Sequence, residues 1–301
     1  MRLALEHVRR MRGGSQAHIM RCNDENFYVV KFANNPQGLR VLANDMFGTR
    51  LAARMGICVP DVDVIEVADA LIRNTLDLTI ELGGGRVRCA PGKQFGSRYP
   101  GHPARIRVYD FISPEQIPQI TNLADFLGAF VFDTWTYNTD GRQAILVSQG
   151  DVGIGGSPHK PLKAMMIDQG WCFNSGEWNF PDAPLRRFYT KRELYERVKG
   201  IEAFEPWLDW LENRLSLDIL REEADKVPVE WYERDHERWN RLVERLYTRR
   251  TRVRELVWSA RSMSPNPFAN WIESPSRRVL ATEFPKSQGV VRPGLRLREL
   301  C

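Results

Sequence analysis

The chain has 301 residues, of which 43% are hydrophobic and 27% are charged, so it can bury a full core like an ordinary globular protein. No apolar run approaches the roughly 20 residues of a membrane-spanning helix, and we expect no membrane partner. The net charge of +5 is concentrated in the two ends. The nearly balanced middle argues against a nucleic-acid-binding protein, and leaves the basic C-terminal tail as the segment suited to RNA or an anionic surface.

The five cysteines predict a reducing compartment. They are odd in number and far apart, with no CxxC pair and no Cys/His spacing typical of a metal site. The first residues also lack the apolar stretch and small-residue cleavage site of a signal peptide. Both features predict a cytoplasmic protein with free thiols.

The N-terminal third is predicted to be rich in strands. Two turns of Gly, Ser, Asn and Asp separate three apolar runs, which predict strands at Leu5–Met11, Ala17–Cys22 and Phe27–Ala33. The first turn, Gly13-Gly14-Ser15, is either a plain hairpin turn or a loop whose amides approach a phosphate. Lys31, late in the third strand, is either a solvated side chain or a phosphate ligand.

A helix is predicted next, over Leu39–Met55, where apolar residues recur at helical spacing before Gly56. Asp45, in its middle, either faces solvent or turns inward to pair with a cation. The following segments are predicted to be strands at Ile57–Val67, Leu76–Leu82 and Arg105–Ile112, with an ordered loop at Lys93–Arg98.

The predicted secondary structure changes from mainly strands to mainly helices near Ile112. A long apolar helix is predicted over Ile120–Tyr137, capped by Thr121 or Asn122. Further helices are predicted at Lys191–Arg197, Phe204–Asn213, Leu217–Lys226 and Trp231–Ser262. We therefore predict a β-rich domain over residues 1–112, a helical domain over 113–263 and a disordered basic tail over 264–301, with a ligand cleft at the junction of the first two.

Two aspartates in the central stretch, Phe130–Phe173, are the candidate functional residues. Asp140 lies in the turn Asn-Thr-Asp-Gly and Asp168 in the turn Ile-Asp-Gln-Gly, each next to a hydrophobic run. Strands on both sides of a carboxylate hold it rigidly, as catalysis by positioning requires.

The order of these parts is that of a two-lobed, protein-kinase-like α+β fold. ATP brings about four negative charges, which a lysine and Mg²⁺ must neutralise, and carboxylates must hold the metal. Lys31 is then expected to contact the α- and β-phosphates and Asp45 to orient Lys31. Asp140 is expected to act as general base and Asp168 to bind Mg²⁺.

Residues 5–260 resemble the HipA-like kinases, in the branch of compact single-chain domains. The similarity lies in the loop Gly13–Gln16, Lys31 in VVKFA, the helix segment Leu42–Pro60, the segments Asn138–Leu146 and Met165–Gly170, and VPVEWY at Val227–Tyr232. The resemblance implies an ATP- and Mg²⁺-dependent kinase acting on a serine or threonine of a protein substrate, with a regulatory partner protein as a further expectation. It also implies that Gly13, Gly14 and Ser15 cover the phosphates, and that adenine binds at a hinge formed by Tyr109, Asp110 and Phe111.

The sequence departs from the family pattern at two points. The asparagine that binds a second metal after the catalytic aspartate is missing, so Gln143 is assigned the metal role. The helix acid is aspartate where the family usually has glutamate; Asn44 or Asp45 occupies this position, and a weak or absent pair with Lys31 is one expectation. Three alternatives therefore stay open: a nucleotide-binding pseudokinase, a small-molecule kinase, and a domain with two incidental aspartates.

Overall fold

The computed structural model describes residues 1–148, 161–181, 183, 185, 188–189, 191–263 and 266–272. Residues Met1–Trp271 form one compact unit. Its strands are β1 Arg2–Arg10, β2 His18–Cys22, β3 Phe27–Lys31, β4 Val62–Val67, β5 Thr79–Leu82, β6 Gly85–Arg88, β7 Gly92–Arg98, β8 Val108–Tyr109, β9 Gln143–Ser148 and β10 Leu162–Ile167. Its α-helices are α1 Arg40–Arg54, α2 Asp69–Asn74, α3 Asp125–Thr136, α4 Glu205–Asp209, α5 Leu217–Ala224, α6 His236–Arg249 and α7 Val253–Ser259.

Five of these strands close into a barrel in the order β1-β2-β3-β7-β4. The predicted loop at Lys93–Arg98 is wrong, because this segment is β7 and pairs with both β3 and β4. Its polar composition misleads, since Gln94 is buried and accepts a hydrogen bond from the Ala33 amide at 2.6 Å. Gly96 is required there, because a Cβ would lie 2.3 Å from the Ile65 side chain.

A second sheet of order β10-β9-β8 follows the barrel in the chain. Its register places Gln143 opposite Ile167, so the turns that carry Asp140 and Asp168 lie at the same end of the sheet. The predicted strand Arg105–Ile112 shrinks to Val108–Tyr109, which pairs with β9 and not with the barrel. The sheet register, therefore, is what brings the two aspartates together.

Helix α3 leads directly into the Asp140 turn. It begins at Asp125, later than predicted, and its cap residue Ala124 provides no side-chain hydrogen bond. Asp125 instead accepts from the Cys58 amide at 2.9 Å, which fastens the start of the helix to the loop before β4. Tyr137 ends the helix in the left-handed region (φ 49°) and turns the chain toward Asp140.

The helix predicted over Trp231–Ser262 is divided. Val229–Tyr232 and Arg250–Arg252 are 3₁₀ segments on either side of α6, and α7 follows. The apolar residues of these segments are buried, at Trp239, Leu242, Val243, Leu246, Val253, Leu256 and Val257. No helix in the described part of the chain has the length and apolarity to cross a bilayer.

Most of the predicted basic tail lies outside the described residues. Within residues 266–272, Phe268 is buried and its ring packs edge-on against Phe130, Tyr195 and Phe204. The helical core therefore includes a residue beyond the predicted domain boundary at 263.

Candidate functional site

A cavity of about 300 Å³ brings most of the predicted site residues together. Its walls come from the loop after β1, from β3, α1 and β7, and from the β9–β10 sheet. The predicted residues that line it are Gly13, Gly14, Ser15, Lys31, Asp45, Asp140, Gln143 and Asp168. Residues as distant in sequence as Gly13 and Asp168 therefore face one volume.

Lys31 lies at the centre of the charged end of the cavity. Its Nζ donates to Asp45 Oδ2 at 2.7 Å and to Asp168 Oδ1 at 2.8 Å, and its side chain is only 9% exposed. Burial opposes the charge of Lys31, but the two carboxylates outweigh it and raise the pKa of the lysine. The lysine is therefore held as a cation.

The two carboxylates on Lys31 differ in their environment. Burial raises the pKa of Asp45 to about 6, although Lys31 and the Gln169 amide partly oppose this shift. Burial also acts on Asp168, but Lys31 and Arg142 outweigh it and lower the pKa of that carboxyl. Asp168 is thus kept ionised, as a metal ligand must be.

The expectation of a weak or absent Lys31–Asp45 pair is wrong, because α1 packs unusually close to the Asp168 turn. A Cβ at Gly48 would lie 2.9 Å from the Gln169 side chain, and a Cβ at Gly170 would lie 2.6 Å from Val41. Asp45 Oδ1 also accepts from the Gln169 amide at 2.9 Å. Close packing compensates for the missing methylene of aspartate.

Asp168 and Gln143 form the candidate metal-binding pair. Asp168 has a left-handed backbone (φ 61°), and the Gln143 amide donates to its Oδ2 at 3.1 Å. The described residues contain no cluster of three or more His, Cys, Asp or Glu suited to a metal. The protein oxygens available here are the Asp168 carboxylate and the Gln143 amide oxygen, with the NH₂ group of Gln143 facing Asp168. So few protein oxygens suit Mg²⁺, which binds through one or two carboxylates together with substrate phosphates.

The Asp140 turn is held by its own backbone and by Asn138. The Asp140 amide donates to Asn138 Oδ1 at 3.2 Å, and the Gly141 amide donates to Asp140 Oδ1 at 2.8 Å. Asn138 in turn donates from its side chain to Asp133 Oδ1 at 3.0 Å. The turn is therefore fixed to the last turns of α3.

A buried ion pair under both turns was missed by sequence reasoning. Arg142 donates to both carboxylate oxygens of Asp133, and each side chain is 2% exposed. Arg142 also donates to the Ile167 carbonyl at 3.2 Å and to Gln169 Oε1 at 2.8 Å. The acid inside the apolar helix FVFDTWT is the sequence signal that could have indicated a buried partner.

The predicted hinge residues lie outside the lining of this cavity. Tyr109, Asp110 and Phe111 are not among the described residues that line the cavity, and Phe111 is 63% exposed beneath Lys191. The reason is that β8 pairs with β9 in the second sheet. Arg98, the last residue of β7, and Tyr99 and Pro100 directly after it line the cavity at the place where the barrel strand ends.

The rest of the cavity wall has an apolar section and an additional cation. Val29, Phe95, Ile145, Met165 and Ile167 supply an apolar section that suits a planar base. The additional cation is Arg12, in the loop after β1. Arg12 has no hydrogen bond or ion pair within the described residues, so it is a cation facing a cavity that also contains Lys31.

Comparisons with known proteins agree with this geometry. The model of the HipA-like kinase family matches residues 5–152. A search of the curated proteins found no match.

Among solved structures, the Golgi casein kinase is similar with a TM-score of 0.51 and 11% identity, covering 86% of this chain and 74% of that one. The same kinase with Mn/ADP bound gives a TM-score of 0.46 and 11% identity, covering 85% and 74%. The proinflammatory kinase CtkA of Helicobacter pylori gives 0.48 and 12%, covering 82% and 96%. The first similarity shows the fold to be that of a protein kinase. Residues 5–152 are therefore similar to the HipA-like kinase family, and the chain has a protein-kinase-like α+β fold.

Proposed function

We propose that this chain transfers the γ-phosphate of ATP, in a Mg²⁺-dependent reaction, to a serine or threonine hydroxyl of a protein substrate. The observation that carries the proposal is that Lys31, Asp140 and Asp168 line one cavity together with a set of apolar side chains, and that Lys31 and Asp168 are in contact. A nucleotide with an apolar base and a charged phosphate tail matches this combination.

Each of these residues has a distinct task. Lys31 binds the α- and β-phosphates while Asp45 holds it in place, and the amides of Gly13, Gly14 and Ser15 cover the phosphates. Asp140 orients the acceptor hydroxyl and accepts its proton as the phosphoryl group transfers. Asp168 and Gln143 would hold Mg²⁺, which would neutralise phosphate charge.

The cytoplasm suits this proposal, because Cys22, Cys58, Cys89 and Cys172 are all free thiols. The acceptor and any regulatory partner are proposed as proteins, since the resemblance is to protein kinases.

The direct test is thermal unfolding with ATP, with and without Mg²⁺, on wild type and Asp168→Ala. We expect ATP with Mg²⁺ to raise the melting temperature of the wild type, and this metal-dependent rise to be lost in the variant. If neither protein responds to any nucleotide, both the kinase proposal and nucleotide binding are refuted.

One observation favours a second function, a nucleotide-binding pseudokinase. The asparagine that binds the second metal in the family is missing after Asp140, where Gln143 and Ile145 line the cavity instead. Asp140→Asn separates the two functions. In a kinase, this change should lower phosphate transfer by about 10²- to 10⁴-fold while ATP binds as before. A wild type that binds ATP with Mg²⁺ but incorporates no phosphate into protein or itself would favour the pseudokinase.

A further inference from the structure

Asn44 connects helix α1 to the loop that follows Asp168. It precedes Asp45, and its side chain is fully buried. The side-chain NH₂ group lies within hydrogen-bond distance of three carbonyls of that one loop, those of Gly170 at 2.9 Å, Cys172 at 3.1 Å and Ser175 at 2.7 Å, so that one of its two hydrogens is shared. One side chain therefore spans the loop from its second to its seventh residue after Asp168.

The orientation of this amide is fixed from the other side. Trp178 is almost completely buried, and its indole Nε1 donates to Asn44 Oδ1 at 2.9 Å. The oxygen of Asn44 must therefore face the indole, and its NH₂ group must face the carbonyls. Neither an aspartate nor an apolar side chain can make this set of hydrogen bonds.

The loop needs such a partner because its backbone is strained. Asp168 itself lies in the left-handed region, and so do Phe173, Asn174 and Ser175, at φ 55–61°. Non-glycine residues persist in this region only where the surrounding structure holds them. Asn44 binds the loop at both ends of this strained run.

We propose that Asn44 is the positioning residue that fixes the Asp168 carboxylate for metal binding. Consecutive residues of one helix then divide the work: Asp45 holds Lys31, and Asn44 holds the loop that presents Asp168. The link to metal binding rests on the proposed function, whereas the link to the loop rests on the hydrogen bonds alone.

The test compares Asn44→Ala and Asn44→Ser with Arg54→Ala on the same helix. Arg54 pairs with Glu222 and Glu223 at the far end of α1, so its loss weakens α1 docking without touching the loop. Serine keeps a short donor and should rescue part of the effect. If Asn44→Ala does not fold, Asn44→Ser and Trp178→Phe, which removes the partner of Oδ1, give the answer.

The first measurement is amide hydrogen exchange. Because a lost local restraint opens only its own segment, exchange in residues 169–178 should rise about tenfold in Asn44→Ala and stay unchanged in the barrel strands. Arg54→Ala should not produce this localised change. Unchanged exchange in the loop, or an equal rise over the whole chain, would overturn the positioning role.

The second measurement is the Mg²⁺ concentration that gives half of the ATP-induced thermal shift. It should rise about tenfold in Asn44→Ala and less in Asn44→Ser, in line with the loss seen when metal-supporting partners are removed. An unchanged Mg²⁺ midpoint beside increased loop exchange would refute the link to metal binding. If wild type itself shows no Mg²⁺-dependent shift, the proposed function fails, and the exchange measurement still decides whether Asn44 holds the loop.

Discussion

Two buried polar clusters in this molecule differ in charge: one is neutral, and the other contains paired charges. In the barrel, His18 is fully buried and its ring contacts His7 at 3.0 Å and the Cys89 thiol at 3.7 Å. Burial, helped by His7, lowers the pKa of His18 to about 4, so this cluster is neutral. Under the cavity, Lys31 and Arg142 are equally enclosed, yet their partners raise the pKa of each.

The difference teaches how a charged buried cluster is distinguished from a neutral one. Burial alone discharges a group, and a charge survives burial only where a partner of opposite sign lies within hydrogen-bond distance. The cluster under the cavity keeps its charges through several such pairs. Burying these charges costs desolvation free energy, and such clusters are found preferentially at functional sites. The barrel cluster carries no such cost.

The largest effect is expected from breaking the Arg142–Asp133 pair. Arg142→Met leaves a buried carboxylate without its cation, which should lower the free energy of unfolding by about 3–5 kcal/mol in urea denaturation. Replacing both partners, with Asp133→Leu added, should recover part of this loss because no buried charge remains. A single variant as stable as wild type would show that the cluster does not depend on charge pairing.

The barrel cluster predicts a loss of stability in acid. The folded pKa of His18, about 4, lies below the unfolded value of 6.5, so the unfolded state takes up protons first as the pH falls. The stability that comes from the neutral His18 is fully present above pH 6.5 and is lost between pH 6.5 and 4. By pH 5, this lowers the free energy of unfolding by about 2 kcal/mol. Arg10 acts in the same direction, and Asp77 opposes it.

The measurement is the unfolding free energy at pH 7.5 and pH 5 for wild type and His18→Phe, an aromatic replacement that cannot titrate. The variant should lose about 2 kcal/mol less than wild type over this interval. Equal losses in the two proteins would mean that His18 is not held neutral, and the contrast between the clusters would fail.

The sequence predicts the order of the parts better than their contacts. Lys31, Asp45, Asp140 and Asp168 reach one cavity as expected, because each lies in or beside a strand or helix that local pattern identifies. The pairing of the predicted hinge segment was not predicted, because strand pairing is a long-range property. RIRVYDFI alternates like a strand, but nothing in it indicates that its partner is β9. Polar KQFGSR gave the reverse error, since the burial of Gln94 depends on the Ala33 amide, 61 residues away in sequence.

The same limit applies inside the site. Asp133 is an acid in an apolar helix, but its partner Arg142 lies beyond a left-handed turn that sequence pattern does not reveal. The close approach of α1, which makes the shorter Asp45 sufficient, depends on two glycines, Gly48 and Gly170, at unrelated positions.

The smallest effect is expected at Arg12, the cation that belongs to neither cluster. It is exposed and lines the cavity, and within the described residues it has no partner. A charge-assisted contact with a phosphate contributes roughly 1.5 kcal/mol, so Arg12→Ala should weaken ATP binding about tenfold. AMP, which lacks the terminal phosphates, should bind to both proteins alike.

Arg86→Ala is the matched control, because Arg86 is an exposed arginine of β6 outside the cavity lining and its loss changes the net charge equally. Calorimetric titration of ATP and AMP into wild type and the two variants separates a contact from a general field. An equal loss of ATP affinity in both variants would assign the effect to net charge. A tenfold loss in Arg12→Ala alone would show that Arg12 contacts the terminal phosphates of ATP directly.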